Sequence, residues 1–573
     1  MSPGKGPAGA RSFMKSRLEP SPPPAPGQAF RVGTAPADLS ALFVREGDIP
    51  RDARMDKPID QGRLILDGDL RPWSGRLGEV FSPVRVRTPA GLSPLRLGSR
   101  PRMTGRDALR VLAAARKAFA DGRGAWPSLS LARRVRALED FASRLAALRE
   151  PVVRTLMWEI AKPRAELEAE FDRTVESFGR LVRVAAKRER AQRALIRQRG
   201  IVGLVRDEPR GVALCAGPYN YPLFETFGLV APALLAGNTV IIKPPRIGVL
   251  FLDALLEPLA ACFPPGTVHV LSGEGPAVLD PLMRSGGIDV FAFVGSVAVA
   301  DRLIGLHPRR TRLRSLLGLG AKNAAVVLPD ADLDVAVREC LLGALAFNGQ
   351  RCAALKILFV HEAVREPFLE RLAAETARVR IGMPWERGVR ITPLADPARL
   401  PYLGALIDDA AGRGAAVVNE NGGRSAGSLL VPAVLRPVTS RMRVFWEEQF
   451  GPIVPVAFFR RTEEPVGYLR ASPFGQQASV FGDGIRTLGP FIEAARSQVA
   501  RININAKCQR GPDLFPFSGK KDSARGDFSV TEILGAFSDR TVVAAREGGR
   551  GAALLLRCRA ASGRPPSAKG GRP

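Results

Sequence analysis

The chain reads as an α/β protein built on two successive parallel sheets, and three features carry that reading. From residue 211 short, continuously apolar blocks alternate with helix-length segments. Strands apolar on both faces and separated by helices belong to a parallel sheet covered on both sides. The same rhythm restarts at Ala325 and runs to about residue 520, which predicts a second α/β unit from about residue 321. A long helical region, about 104 to 200, precedes both.

The elements follow in order. Residues 1–37 are rich in Pro, Gly and Ser, and the predicted disordered, basic tail is extended to residue 55. In the helical region Leu131, Val135, Leu138, Phe141, Leu145 and Leu148 recur at three- and four-residue steps, with Ser128 or Ser130 able to cap the start. Strands are then predicted at 211–216, 239–242, 268–271 and 290–294, with helices at 222–236, 248–262, 276–284 and 296–305. The apolar run Leu341 to Phe347 reads as a helix and Ile357 to Val360 as a buried strand. The chain after about residue 545 is again expected to be a disordered basic tail.

At 573 residues two or three domains are expected. No apolar run is long enough to cross a bilayer, and the N-terminus has no signal-peptide core, so neither a membrane nor secretion is predicted. Six scattered cysteines without a C-x-x-C pair argue against a disulfide frame or a zinc site and fit a reducing cytoplasm. The three histidines lie far apart, so no metal set and no Ser-His-Asp arrangement is indicated. A net charge of +28 raises the question of nucleic acid. Residues 1–37 contribute +4 and residues 546–573 contribute +6, leaving +18 for residues 38–545. Those arginines are spread over helical faces and are not interleaved with aromatics, so no nucleic-acid partner is expected.

Polar loops at the carboxyl ends of the predicted strands are the candidate ligand sites. They are Gly217-Pro218-Tyr219-Asn220-Tyr221-Pro222, then Lys243-Pro244-Pro245-Arg246, then Gly295-Ser296 opening a helix. Taken singly these are a turn, a solvated strand end and an ordinary cap. Together they precede an isolated thiol in Phe347-Asn348-Gly349-Gln350-Arg351-Cys352, at a helix–strand junction that can present it to a cleft.

With Trp446-Glu447-Glu448-Gln449-Phe450-Gly451-Pro452 and Ala506-Lys507-Cys508-Gln509-Arg510-Gly511-Pro512, these segments resemble the aldehyde dehydrogenase superfamily. The wording is most similar to the non-phosphorylating, NADP-dependent glyceraldehyde-3-phosphate dehydrogenase branch, over about residues 56–545. The resemblance implies a Rossmann-type cofactor domain (56–190 and 210–320), an α/β catalytic domain (321–525) and a small β oligomerisation arm (191–209 and 526–545). The arm's hairpin is expected to pair with the C-terminal strand of a partner in a homodimer or homotetramer.

The resemblance makes Cys352 the nucleophile and Asn220 an oxyanion donor beside the Cys352 backbone N–H. It places cofactor on Pro218, Lys243, Arg246, Gly295, Ser296, Glu448 and Phe450, and substrate phosphate on Tyr221, Arg351 and Arg510, with Arg173 or Arg180 as further candidates. Arg246 suits a 2′-phosphate, which favours NADP over the alternative, NAD; the competing reading is a solvated surface arginine.

The implied reaction oxidises glyceraldehyde 3-phosphate to 3-phosphoglycerate. Gly318 departs from the pattern: relatives carry there the glutamate that activates water, and no Asp or Glu occurs between Asp301 and Asp330. The alternatives left open are slow turnover with Glu447 or Glu448 as base, transfer of the acyl group to another acceptor, another small aldehyde, or a degenerate nucleotide-binding homologue.

Overall fold

The computed structural model describes residues 38–66 and 69–561. Its first large sheet runs, edge to edge, Val268–Val270, Thr239–Lys243, Val212–Ala216, Val290–Val294, Arg314–Gly318 and Ala524–Arg525. All neighbours are parallel except the last pair. The chain starts in the middle strand, steps outward one way, then crosses to the other side. The switch point lies between Val212–Ala216 and Val290–Val294, where the loops leaving both strands part and open a crevice.

The second sheet has seven strands in the order Ala416–Val417, Ala433–Arg436, Ile453–Phe459, Leu355–His361, Asn323–Val327, Gln477–Phe481 and Arg501–Ile504. Leu355–His361 is buried through its first six residues and stands beside Asn323–Val327. The helix feeding the Cys352 loop is Leu333–Leu345, capped by the Asp332 carboxylate accepting from the Asp334 and Val335 N–H groups.

The predicted strands and helices of the first sheet fall within a residue or two of their observed ends, except that 248–262 divides into a 3₁₀ segment, Leu250–Leu255, and a short α-helix, Leu256–Cys262. Ser130 occupies the N-cap of Leu131–Ala147 without a side-chain bond, while the Ser128 hydroxyl donates to the Gly124 carbonyl at 2.7 Å.

Several expectations are corrected. Residues 38–55 fold: Leu39, Phe43, Ile49 and Ala53 are buried in the main core, and the Trp158 indole donates to the Ala53 carbonyl at 2.7 Å. The apolar cluster Leu39-Leu42-Phe43-Val44 outweighs the Pro-rich chain before it; residues 1–37 lie outside the described residues. The second tail also folds in part, as helix Arg550–Ala561, whose Leu555 packs on Val202 and Leu204. Its Ala-Ala-Leu-Leu-Leu core has high helix propensity. The strands Leu77–Thr88 and Gly91–Pro101, absent from the sequence reading, form a hairpin before the helices.

The segments expected to form the arm make a three-stranded sheet, but its C-terminal strand adds in cis and not from a partner. Leu195–Gln198 and Ile201–Pro209 form a hairpin, and Ser538–Arg546 of the same chain adds antiparallel to it along nine residue pairs. The returning segment is pinned to its own body, since the Asn238 amide donates to the Phe537 carbonyl at 2.9 Å.

One cluster joins the helical region to the first sheet: Phe141 stacks on Phe227 at 5.5 Å and meets Phe178 and Phe263 at 6.1 and 5.9 Å. Truncating such a buried ring typically costs about 3–5 kcal/mol. Phe141→Ala is therefore expected to lower the urea midpoint by that amount of stability at constant m; an unchanged midpoint would show that the cluster contributes little.

Candidate active site

The two sheets face an open cleft of about 540 Å³. The strand-end loops and the cysteine loop meet there. Its lining includes Pro218, Asn220, Tyr221, Arg246, Gly295, Ser296, Arg351, Cys352, Glu448, Phe450 and Arg510. Lys243 is buried behind the wall. Residues from Arg173 to Phe517 in sequence are thus assembled at one place.

The cysteine loop is strained and heavily tied. Phe347, Asn348 and Gly349 take φ of 47°, 57° and 69°. Left-handed backbone costs a non-glycine residue roughly 1–2 kcal/mol. At Gly349 a Cβ would lie 2.7 Å from the Gly451 carbonyl oxygen, so only glycine fits. The strain is held by Asn348, whose amide donates to the Thr392 carbonyl at 2.9 Å while its Oδ1 accepts the Thr392 N–H at 3.0 Å. The Cys352 carbonyl accepts from Asn323 Nδ2 at 2.8 Å and Lys356 Nζ at 2.9 Å.

The Cys352 amide N–H donates to no acceptor among the described residues and remains available. Asn220 Nδ2 donates to the Gln350 carbonyl at 2.7 Å, which fixes the amide beside the cysteine loop with one N–H left over. Burial pushes the Cys352 thiol above its ordinary pKa and the Glu225 charge adds to this, while Lys356, the Gln476 amide and Arg510 pull the other way.

The Asn220 loop rests on a pair that sequence reading missed. Lys162 and Glu170, both sealed from solvent, form an ion pair of 2.6 Å. Lys162 also donates to the Asn220 carbonyl at 3.3 Å and lies 3.3 Å from the Tyr221 ring centroid, and Glu170 accepts the Phe224 N–H at 3.1 Å. Burial opposes the Lys162 ammonium, but Glu170, Tyr221 and Glu166 outweigh it and hold its pKa above the ordinary value.

At the candidate nucleotide end, Ser296 caps Val297–Leu306 by accepting the Val299 N–H at 3.4 Å. Lys243 Nζ donates to the Pro244 carbonyl at 2.6 Å and has no carboxylate partner among the described residues. Burial lowers its pKa to about 8, and Arg100 adds to that. A buried cation at a strand end with no carboxylate in ion-pair contact among the described residues, only the more distant Glu274 charge, fits the hydroxyls of a ribose. Glu448 is held by Lys356 Nζ at 2.8 Å and by the Ala321 N–H at 3.2 Å. Arg246 is largely exposed and reaches Asp396 at 2.9 Å; such an exposed pair contributes only about 0–1 kcal/mol and yields readily to a phosphate.

The arginines differ from the sequence expectation. Arg510 reaches the cleft but is ion-paired with Glu225, between the rings of Phe224 and Phe517 at 4.7 and 4.8 Å. Arg173 lines the cleft and is paired with Asp513, which also takes Arg180 at 2.9 Å. Arg351 makes no ion pair among the described residues and faces the cleft beside Cys352. Glu447 is turned away to Arg443 at 2.8 Å and Tyr402 at 3.2 Å, so it is not a cleft carboxylate. Glu225 was legible as the one charged residue in Phe224–Leu235.

Gly318 ends its strand in the cleft wall, where an added Cβ would meet the Phe528 ring at 3.2 Å and Val294 at 3.4 Å. No carboxylate extends from that position.

With the thiol pKa raised above 9.0, thiolate and hence alkylation should keep increasing through pH 9. Peptide-resolved iodoacetamide labelling of the ligand-free protein is expected to show the Cys352 rate still climbing there. A plateau below pH 8 would mean an activated thiolate at rest.

Residues 82–543 match the model described as the aldehyde dehydrogenase family. The chain is 33% identical over 442 residues to the NADP-dependent glyceraldehyde-3-phosphate dehydrogenase of Streptococcus equinus, spanning 75% of this chain and 89% of that protein. It is 31% identical over 484 residues to the enzyme of that name from Triticum aestivum, 82% of this chain and 94% of that protein. Among solved structures, the Bacillus halodurans NADP-dependent glyceraldehyde-3-phosphate dehydrogenase complexed with NADP superposes with a TM-score of 0.77 at 29% identity, over 85% of this chain and 99% of that one. The chain belongs to the aldehyde dehydrogenase family.

Proposed function

We propose that the protein oxidises a small anionic aldehyde with NADP, glyceraldehyde 3-phosphate to 3-phosphoglycerate being the leading pair. The single observation that carries the anionic class is Arg351, an arginine without an ion-pair partner among the described residues, adjoining the nucleophile in the cleft. The relatives' names supply the specific aldehyde and nucleotide.

In this reading the Cys352 thiolate adds to the aldehyde carbonyl. The developing oxyanion takes hydrogen bonds from Asn220 Nδ2 and the Cys352 N–H; one such donor is worth roughly 2.7–4 kcal/mol. The nicotinamide, when bound, accepts the hydride. Pro218, Lys243, Arg246, Gly295, Ser296, Glu448 and Phe450 hold the nucleotide, and Tyr221, Arg351 and Arg510 face the substrate. Cys352 is left as a thioester that water must cleave. The arm supports a homodimer or homotetramer, its strands exposing Ile196, Ile201, Val542 and Val543; the compartment is taken as cytoplasmic.

A second reading, a less highly charged aldehyde, draws on Glu225 and Asp513, which already neutralise Arg510 and Arg173. Steady-state kinetics separate the two. Charge-assisted hydrogen bonds contribute about 1.5–3 kcal/mol. Arg351→Leu should therefore cut kcat/KM for glyceraldehyde 3-phosphate roughly tenfold to a hundredfold and leave propanal unaffected. Equal losses for both would favour the second reading. Asn220→Ala should lower the NADPH burst rate by about 100-fold, and an unchanged burst would remove Asn220 from the oxyanion site.

A further inference from the structure

The cleft contains two carboxylates among its described lining residues, Glu225 and Glu448. Glu448 is held through one oxygen, Oε1, shared by the Lys356 ammonium and the Ala321 N–H, and its Oε2 is turned toward Gly320, 3.0 Å from where a Cβ there would stand. Glu225 is likewise held through one oxygen. Its Oε1 pairs with Arg510, while Oε2 has no hydrogen bond among the described residues and is not among the sealed, unpartnered atoms. Glu225 sits in the first turn of Phe224–Leu235, five residues after Asn220. Glu225 and Cys352 line the same cleft, and the Glu225 charge raises the Cys352 thiol. On the other wall Gly318 presents no side chain.

From this arrangement we infer that Glu225 is the general base that releases the acyl group from Cys352, doing from the helix wall what no residue at position 318 can do. The inference rests on Cys352 being the nucleophile. As the water oxygen bonds to the thioester carbonyl carbon, the Glu225 carboxylate takes the water proton. The carbon–sulfur bond then breaks and Cys352 leaves as thiolate; the product acid ionises, and the carboxylate product and both water protons, one of them by way of Glu225, pass to solvent. Arg510 orients the Glu225 carboxylate through Oε1 and leaves Oε2 for the water.

The test is stopped-flow NADPH formation with glyceraldehyde 3-phosphate, in the intact chain and in Glu225→Gln, Gly318→Glu and the double variant. Glu225→Gln should keep the burst amplitude and lose roughly a hundredfold in the following steady rate. The double variant should recover most of that rate. Position 318 has an ordinary backbone conformation, and a side chain there requires the tip of the Phe528 ring, 3.2 Å from the added Cβ, to give by a few tenths of an ångström. A role confined to holding Arg510 would not be rescued from position 318. Gly318→Glu alone should change the steady rate by less than about threefold, a reading that does not depend on Glu225→Gln folding. An unaltered steady rate in Glu225→Gln, failure of the double variant to recover, or a tenfold gain in Gly318→Glu alone would each overturn Glu225 as the base. No NADPH at all from the unaltered chain would instead sink the nucleophile reading itself.

Discussion

The buried ammonium–carboxylate pair of Lys162 and Glu170 is the interaction on which the cleft depends. It joins the turn after helix Arg149–Ile160 to helix Arg164–Gln192 and reaches across to the loop carrying Asn220. That loop in turn grips the cysteine loop through Asn220 and Gln350. Removing one partner of such a pair leaves an uncompensated buried charge and typically costs 3–5 kcal/mol. The loss would fall where the Asn220 loop is positioned.

The same logic of compensation runs through the cleft. Lys356 is matched by Glu448, Arg510 by Glu225, and Arg173 by Asp513. A chain of net charge +28 therefore does not present an undifferentiated cationic cavity. Arg351, beside Cys352, and Arg399, which donates to the Gln449 carbonyl at 2.7 Å, are the lining arginines without an ion pair among the described residues. Pairing has a second effect on Glu225: one oxygen is fixed, and the other keeps a defined direction without being consumed.

Much of this was legible from the sequence because it is local. Continuous apolar strands announced the parallel sheets, and the loops at their carboxyl ends contained Pro218, Asn220, Tyr221, Arg246, Gly295 and Ser296, while Arg351, Cys352, Glu448, Phe450 and Arg510 came from other segments. What escaped was pairing across long separations. Glu225 and Arg510 are 285 residues apart, Lys356 and Glu448 are 92 apart, and no spacing rule connects them. The arm escaped for a different reason: its hairpin was visible, but whether Ser538–Arg546 completes it in cis depends on where Phe537 is pinned. The folded segments at 39–53 and 550–561 were hidden by flanking Pro, Gly and Arg, which weighed more in composition than a few well-placed apolar residues.

Glycine at 318 and a thiol raised by burial both concentrate attention on one covalent state, the acylated Cys352. Rapid acid quench of protein mixed with NADP and glyceraldehyde 3-phosphate, followed by peptide mass spectrometry, observes that state directly. The expected result is a phosphoglyceroyl adduct on the peptide containing Cys352, formed with the NADPH burst and absent from Cys352→Ser. NADPH formation with no adduct at any quench time, or an adduct on Cys508 in its place, would contradict it.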